Sequence, residues 1–575
     1  MRHTKKSNIS KPEIMKQSVF TLILIFITGI LFAKTPIWTK HEISFQSSKT
    51  YDNPIYDVKD FKIMFTAPSG MTKIVRGFWD GGMDWKVRFM PDETGTWNWK
   101  TECSDKENTG LHNQSGSFEC VANPSKEALF SKGTIRHEPG KYYLSYADGT
   151  PFFWMACTAW NGALKSNDEE WDYYLNHRKK NNYNTIQLVT TEWRGADKNA
   201  EGLTAIDGAG YIHIHPEFFK RIDQKIDEAN AKGLLVSPVV LWALPNGQGR
   251  HLSPGYTLPL DEAVLLARYI VARYEGNHVV WTLGGDGKYY DEQEVKWKEI
   301  GRRVFNDIHH APVTLHPHGS SWVGDIYDQE NWYNLMSYQS SHNNGERVVN
   351  WINKGPMAEM WSKLKPMPYI NMEPNYEEIG FRITAKDVRN ASYWSLFATP
   401  VAGVTYGANG IWPWLAEGEK ILNHNDKGGV TGWRKSLDFP GSIQMGYLAG
   451  FFQNLEWWKF YPASELLAEQ PGNSVFNHWI SVLKKDDNSE ILVYIPEKST
   501  ITLFNPKGIK YTAQRFNPVT NEYSDAKIVQ DSTYTAEKFN DDTGERLIVT
   551  IRQDLKTIKF PHNFENDMLI ILKKK

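Results

Sequence analysis

Two acidic residues stand where short apolar runs break off. Asp286 closes Val279-Val280-Trp281-Thr282-Leu283-Gly284-Gly285-Asp286, and Glu373 lies in Pro368-Tyr369-Ile370-Asn371-Met372-Glu373-Pro374. If both runs are parallel barrel strands, both carboxyl groups project at the C-terminal rim, where such barrels perform chemistry. A facing pair of carboxylic acids is the minimum equipment for cutting a glycosidic bond: one gives a proton to the leaving oxygen while the other supplies negative charge. Asp286 would have to stay protonated near neutral pH, held so by burial or by its partner's charge. Gly284 and Gly285 would let the backbone pass close to a sugar. Glu373 precedes Pro374, which biases it toward the extended geometry of a strand tip. In a retaining mechanism Glu373 is the nucleophile, with a carboxyl separation of about 5 Å, whereas roughly 7 Å or more means inversion. Its rivals are Glu377 and Glu378, read as solvated acids at a helix start, and Glu192, which would ligate a sugar hydroxyl or pair with Arg194.

Other polar and aromatic side chains fall at the same expected rim: Trp160, Trp193, Trp242, His316, His318, Tyr338, Gln339, His342, Tyr376, Tyr406, Trp412 and Trp414. Flat rings and hydrogen-bonding groups in one hollow suit carbohydrate. His316-Pro317-His318 invites a metal, but two imidazoles without a third ligand at zinc-like spacing do not make a site. Hydrogen bonding to hydroxyls is the expected job, with no metal and no cofactor. A serine or cysteine nucleophile has no support, because no Gly-x-Ser-x-Gly elbow is present and Cys157 lies in an apolar strand. No phosphate loop and no Gly-x-Gly-x-x-Gly follows a strand.

The elements that must position these residues alternate between buried strand and amphipathic helix. Strands are expected over 151–156, 185–189, 234–242, 279–283, 312–315, 334–338, 369–372 and 403–406, and eight is the number that closes a (β/α) barrel. Ser166 with Glu169 reads as a capping box before Trp171, Tyr174 and Leu175. Pro216 opens a helix with Phe219, Ile222, Ile226 and Ala229 on one face, stopping at Gly233, and Asp261 begins another that ends before Gly276. Residues 321–331 offer little helical periodicity, so a reduced connection is expected there.

At 575 residues the chain is too long for one ordinary core. Short alternating strands such as Phe61-Lys62-Ile63-Met64-Phe65 and Trp85-Lys86-Val87-Arg88-Phe89 predict an antiparallel β-sandwich over 34–122, the (β/α)8 TIM barrel over 123–462, and a second β-sandwich over 463–575. Residues 1–33 carry basic side chains and then an apolar stretch, the order of a secretory signal cleaved after Ala33, which places the protein in the periplasm or outside the cell; Leu31, larger than the usual small residue at that place, leaves an uncleaved anchor as the alternative. A formal net charge of -2 gives no reason to expect nucleic acid or an anionic membrane as partner. Aromatic residues make up 13% of the chain, including 23 Trp, a surplus that suits stacking on sugar faces as well as core packing. Cys103 and Cys120 flank a polar loop and would either close a disulfide or stay as free thiols, leaving Cys157 unpaired.

At this point the chain resembles the apiosidase-like glycoside hydrolases over nearly everything after the leader. The resemblance rests on Trp38-Thr39-Lys40-His41-Glu42, Gly77-Phe78-Trp79-Asp80-Gly81-Gly82 and Gly95-Thr96-Trp97 in the first sandwich. In the barrel it rests on Thr158-Ala159-Trp160, Trp281-Thr282-Leu283-Gly284-Gly285-Asp286, His316-Pro317, Asn371-Met372-Glu373-Pro374-Asn375-Tyr376-Glu377 and Thr405-Tyr406-Gly407. It places the acid on Asp286 and the nucleophile on Glu373 and implies retention. The stretch Phe516-Asn517-Pro518-Val519-Thr520 is similar to a module named for collagen binding, here expected to be a packing sandwich. One departure stands out: the family carries Asp immediately before Thr-Ala-Trp, where this chain has Cys157. The exchange replaces an ionised acceptor for sugar hydroxyls with a nearly apolar group, and a change in the accepted sugar is expected from it.

The sequence thus points to hydrolysis of a glycosidic bond in a complex plant or algal polysaccharide. A non-catalytic carbohydrate-binding protein is the alternative, with Cys157 its one hint. A lyase acting on uronic-acid polymers would want a Tyr or His base and a neutralising Arg or metal.

Overall fold

The computed structural model describes Met1 and residues 34–424, 428–505, 507–539, 546–562 and 564–575; the leader read as a signal lies outside the described residues. No helix among the described residues is long and apolar enough to cross a membrane.

The first sandwich packs a five-stranded sheet on a three-stranded one. The larger sheet runs Lys34–Pro36, Ser115–Val121, Gly95–Cys103, Phe61–Thr66, Thr72–Arg76, and the smaller runs His41–Gln46, Asp84–Phe89, Phe78–Gly81. Phe61, Ile63 and Phe65 face inward while their neighbours turn out, the period of two that the sequence displays. Phe65 stacks on Phe89 at 4.1 Å between centroids. The sheet is not wholly antiparallel as expected, because Lys34–Pro36 pairs parallel with Ser115–Val121. Cys103 and Cys120 are buried free thiols. Cys120 pairs with Gly95, at the far end of the strand that Cys103 terminates. That length of strand separates them by about 27 Å, beyond the reach of a disulfide.

Eight parallel strands form the barrel: β1 (Trp154–Thr158), β2 (Thr185–Val189), β3 (Leu235–Trp242), β4 (Trp281–Gly287), β5 (Val313–Pro317), β6 (Met336–Gln339), β7 (Tyr369–Glu373) and β8 (Gly403–Ala408). The hydrogen-bonded order is β5-β4-β3-β2-β1-β8-β7-β6. The ring closes between β5 and β6, where Asn334 N–H donates to Val313 O at 2.9 Å and the Thr314 hydroxyl donates to Leu335 O. All eight expected strands are present, but β4 starts and ends later than the expected 279–283, running Trp281–Gly287, and the first strand differs as well. Pro151 and Phe152 leave the barrel and pair antiparallel with Leu144 and Ser145. That small sheet closes the N-terminal end of the barrel: Ile135, Leu144 and Phe152 cluster with Trp154, Leu235, Val280, Leu335 and Ile370.

The helices form the outer layer: α1 (Asp168–Lys180), α2 (Pro216–Ala231), α3 (Leu260–Tyr274), α4 (Glu292–Phe305), α5 (Glu346–Lys354), α6 (Ala385–Ala398) and α7 (Pro440–Gln453). The capping box of α1 is Asn167 with Glu170, one residue beyond the expected Ser166 and Glu169. Ser166 is spent otherwise, because it is buried and its N–H donates to Gly162 O, ending the short helix Gly162–Lys165. Helix α2 buries Phe219, Ile222, Ile226 and Ala229 as its periodicity requires. Between β5 and β6 the connection holds only the single turn Gly324–Tyr327, the reduced connection expected.

The C-terminal region pairs a six-stranded sheet, ordered Phe460–Pro462, Ser481–Lys485, Glu490–Ile495, Met568–Lys574, Tyr511–Asn517, Glu522–Asp525, with a three-stranded one. The central strands of the six-stranded sheet, Glu490–Ile495 and Met568–Lys574, are buried on both faces over most of their length. Val493 and Ile570 face the second sheet, while Leu492, Tyr494, Leu569 and Ile571 join the barrel's core. Double burial explains why Ile491–Ile495 and Met568–Leu572 read as unbroken apolar runs. Buried ion pairs mark both seams. Arg273 of α3 sits between Asp223 of α2 at 2.7 Å and Asp80 of the first sandwich at 2.9 Å, and Arg88 joins Asp223 at 2.8 Å. On the other side, Arg389 of α6 meets Asp567. Removing one partner from such a pair costs about 3–5 kcal/mol, so both sandwiches are fastened to the barrel.

Candidate active site

A pocket of about 640 Å³ opens at the C-terminal rim, lined by Trp160, Trp193, Arg194, Trp242, Asp286, His318, Gly319, Gln339, Ser341, His342, Glu373, Tyr376, Ile379, Trp412 and His424. Asp286 and Glu373 therefore share one hollow. Each reaches it through a slip in strand register. Between β4 and β5, Gly285 pairs with His316 and Gly287 with Pro317, so Asp286 is an extra residue bulged out of the ladder. Between β6 and β7, Tyr338 pairs with Asn371 and Gln339 with Glu373, so Met372 is the extra one. Without that slip, strict alternation would turn Glu373 to the same face as Asn371, whose amide donates to Ser395 of α6 in the helix layer. Asp286 also holds a left-handed φ of 55°, strain of about 1–3 kcal/mol for a residue with a Cβ.

The glycines before Asp286 make room for protein and not for ligand. A Cβ on Gly285 would lie 2.4 Å from Cε3 of Trp242, and one on Gly284 would lie 2.6 Å from the Tyr289 hydroxyl. The expectation that they admit a sugar to the backbone is corrected accordingly.

The two carboxyl groups are driven in opposite directions. Burial, then the negative charge of Glu373, pushes the Asp286 carboxyl above the usual carboxylate range, against the opposing pull of His318, Arg194 and His316. Burial also penalises ionised Glu373, but hydrogen bonds and charge from His316 and His342 outweigh it and hold Glu373 well below that range. His316 Nε2 lies 3.1 Å from Oε2, and His342 Nε2 lies 2.9 Å from Oε1. His316 is wholly buried, which disfavours its charged form, yet Glu373 and then Asp286 raise its proton affinity overall. One acid is thereby kept protonated and the other ionised, the division of labour a general acid and an anionic partner require.

Four indoles wall the pocket. Trp193 packs on Trp242 at 4.1 Å and on Trp412 at 5.6 Å, and Trp160 meets Trp242 at 5.4 Å. Trp160 Nε1–H donates to the Tyr376 hydroxyl at 2.8 Å, and Trp193 Nε1–H donates to Asn161 Oδ1. Trp242 Nε1 and Trp412 Nε1 are buried donors with no partner among the described residues. Unmet donors on rings that line a pocket are suited to hydroxyl acceptors.

Of the residues singled out in the sequence, Trp160, Trp193, Trp242, His318, Gln339, His342, Tyr376 and Trp412 come together around Asp286 and Glu373, with His316 beneath Glu373. Glu192, Tyr338, Tyr406 and Trp414 do not. Glu192 turns away and accepts the N–H of Ala205 at 2.8 Å, pairing neither with Arg194 nor with the pocket. Tyr338 is buried against Trp351 of α5. Tyr406 is buried and donates to Glu377 Oε2 at 2.7 Å, and Trp414 stacks on Trp433 at 4.4 Å. Strand alternation sends alternate side chains outward, and rim position alone does not say which. Glu377 is not a solvated acid: it is buried and also accepts the N–H groups of Gly441 and Ser442 at the start of α7, anchoring that helix. Glu378 has a left-handed φ of 60° and accepts the Thr431 hydroxyl at 2.8 Å.

Cys157 is corrected most sharply. It points from β1 into the helix layer, where its sulfur lies 3.8 Å from an Arg178 Nη1, and burial raises its thiol's proton affinity. It does not line the pocket, so the Cys-for-Asp departure removes no sugar contact. Sequence reasoning missed Arg194, Ser341, Ile379 and His424 as lining residues. They sit on loops after strand ends, or for Ile379 in the short 3-10 turn Ile379–Phe381, where no periodicity announces direction; proximity to Trp193 was the only available signal for Arg194.

Residues 138–459 match the apiosidase-like catalytic domain family, and residues 34–104 match a domain of unknown function designated DUF5060. Among solved structures, one described as a glycoside hydrolase aligns at 23% identity with a TM-score of 0.61, covering 77% of this chain and 98% of that one. A glycoside hydrolase family 5 protein from Bacteroides vulgatus ATCC 8482 aligns at 21% identity and a TM-score of 0.62, covering 77% and 93%. A candidate glycoside hydrolase from the same organism aligns at 15% identity and a TM-score of 0.66, covering 94% and 100%. These likenesses show the fold. No protein of curated function matches the chain.

Proposed function

The chain belongs to the apiosidase-like family of glycoside hydrolases, and from that premise we propose that it hydrolyses a glycosidic bond in a complex plant or algal polysaccharide with retention of configuration. The single observation behind this reading is the opposed proton affinity of two carboxyl groups in one pocket, Asp286 raised and Glu373 lowered. Asp286 gives its proton to the leaving oxygen while ionised Glu373 attacks the anomeric carbon. Asp286, now a carboxylate, then takes a proton from the water that displaces Glu373. The indole walls hold sugar faces, and Gln339, His318 and Trp242 Nε1 supply hydrogen bonds to hydroxyls. Catalysis resides in the barrel of about residues 123–462, with the sandwiches of 34–122 and 463–575 bracing it. Export to the periplasm or beyond would bring the enzyme to polymers too large to enter the cell.

Incubation with a panel of pectic and algal polysaccharides, with analysis of released sugars, tests the activity, and the anomer first formed, observed by proton NMR, tests retention. Asp286→Asn and Glu373→Gln are each expected to lower turnover by at least about 10³-fold while the thermal transition stays in place. Near-wild-type turnover in either variant removes that residue from the mechanism.

A further inference from the structure

Each carboxyl oxygen of Glu373 has an imidazole beside it, and the two rings differ in how they meet it. His316 Nε2 lies 3.1 Å from Oε2 without hydrogen-bond geometry, and neither of its ring nitrogens meets a hydrogen-bond partner among the described residues. His342 is under a stricter demand. Its Nδ1 lies 2.9 Å from the Pro374 carbonyl oxygen and its Nε2 lies 2.9 Å from Glu373 Oε1. Carbonyl and carboxylate oxygens only accept, and a neutral imidazole has a single N–H to offer.

We propose that His342 rests as an imidazolium donating from both nitrogens, and that it is a positioning residue carrying the counter-charge of Glu373 through the reaction; its kinetic part rests on Glu373 being the nucleophile. The alternative puts the shared proton on Glu373, leaving His342 neutral. The hydrogen bond from His342 and the charge around Glu373, which together hold it well below the usual carboxylate range, argue against it. Tyr376 packs on the His342 ring at 4.1 Å between centroids, tilted by 35°, and helps to fix its orientation. The charged and titratable groups around this ring are Glu373 and Tyr376 from β7 and the turn after it, His316 from β5, His318 just beyond it, Asp286 from β4, and Arg194 and His424 across the pocket.

The chemistry gives such a cation one task. When Glu373 bonds to the anomeric carbon, the bond to the leaving oxygen breaks and that oxygen takes the proton of Asp286. Glu373 is then a neutral ester and His342 stands without its counter-ion. When water attacks, giving its proton to Asp286, the ester C–O bond breaks and its electron pair returns to Glu373 beside the waiting imidazolium. His342 gives up no proton in either step. It stabilises the departing carboxylate, so loss of its charge slows the second step more than the first, and the glycosyl-enzyme accumulates.

Two measurements on the full chain test this. Nitrogen NMR of protein carrying 15N-histidine, with His342 assigned by its absence in His342→Gln, is expected to show both ring nitrogens protonated at neutral pH. In Glu373→Gln, whose new amide can donate to Nε2, only one should be protonated. A singly protonated ring in the wild type overturns the proposal, and this arm needs no turnover, so it decides even where no polysaccharide is cleaved. On whichever polysaccharide is cleaved, His342→Gln keeps an N–H but not the charge. It is expected to lower kcat by about 10²-fold and KM alongside it, leaving kcat/KM nearly unchanged. Unchanged kcat and KM overturn the role assigned to the charge.

Discussion

Substituting Gly285 by alanine tests whether the pocket's indole wall depends on a missing side chain. The added Cβ would stand 2.4 Å from Cε3 and 2.6 Å from Cζ3 of Trp242, and 2.9 Å from Cγ1 of Val239. Carbon atoms rest at about 3.5–4.0 Å, so the indole must retreat by roughly 1 Å. It has nowhere easy to go, because Trp193 presses on it at 4.1 Å and Trp160 at 5.4 Å. Overpacking of this kind costs about 1–3 kcal/mol. Alanine recovers about 0.4–1 kcal/mol of that by restricting the unfolded chain. A net loss of about 1–2 kcal/mol in urea unfolding is expected, together with a fall in kcat/KM of about 10²-fold, since a displacement near 1 Å at the substrate wall spoils alignment. Trp242→Phe provides the control. Combined with Gly285→Ala it should relieve the clash, giving a favourable coupling of about 1 kcal/mol or more in a double-mutant cycle. Strict additivity, or a Gly285→Ala protein with wild-type stability and turnover, would refute the steric argument.

Three further outcomes follow from buried charge. Cys157→Asp places a carboxylate beside Arg178, which is wholly buried with only neutral acceptors and the thiol for partners. It is expected to stabilise the fold by about 1.5–3 kcal/mol in denaturant unfolding, while the profile of accepted sugars stays the same; an altered profile would put the side chain back in the site. Burial raises Glu275 to about 8 from an ordinary 4.5, despite the N–H groups of Trp281 and Ala311. A raised acid contributes stability that is complete below its unfolded value and is lost as pH rises through its folded one. The melting temperature should therefore drop between about pH 4.5 and pH 8, and a slope unaltered in Glu275→Gln would remove Glu275 as the cause. For turnover, the raised Asp286 and lowered Glu373 predict a bell-shaped pH dependence of kcat/KM whose alkaline limb lies above the ordinary carboxylate range. An alkaline limb that persists in Asp286→Asn, measured on its residual activity, would assign that limb to another group.

Most of the barrel was legible because its signals are local and repeated. Buried strands of four to eight residues alternate with helices whose apolar stripe recurs every third or fourth residue, and all eight strands were placed from that alternation. The positions of Asp286 and Glu373 followed because both sit where a strand stops. Direction was less accessible. Tyr338, Tyr406 and Cys157 lie at the same strand ends as true lining residues, yet face the helix layer. A period of two predicts alternation but not its phase, and a single register slip inverts the phase at Glu373. Burial on both faces removed the period from the central strands of the C-terminal sheet, Glu490–Ile495 and Met568–Lys574. The capping box of α1 moved by one residue because Ser166 and Asn167 are both good caps, and only the burial of Ser166 decides between them.

The two bulges carry more than direction. A carboxylate at an unbroken strand end has its neighbours fixed by the ladder, whereas a bulged one is released from it and can be set among side chains from adjacent strands. Asp286 sits at such a point on β4 and draws no directed hydrogen bond from β5, so burial and repulsion govern its proton. Met372 is the released residue on β7, and its slip turns Glu373 toward β5 and the loop after β6, where His316 and His342 wait at 3.1 Å and 2.9 Å. Two acids that begin with nearly equal proton affinities are thus separated by which neighbouring strand supplies the imidazoles.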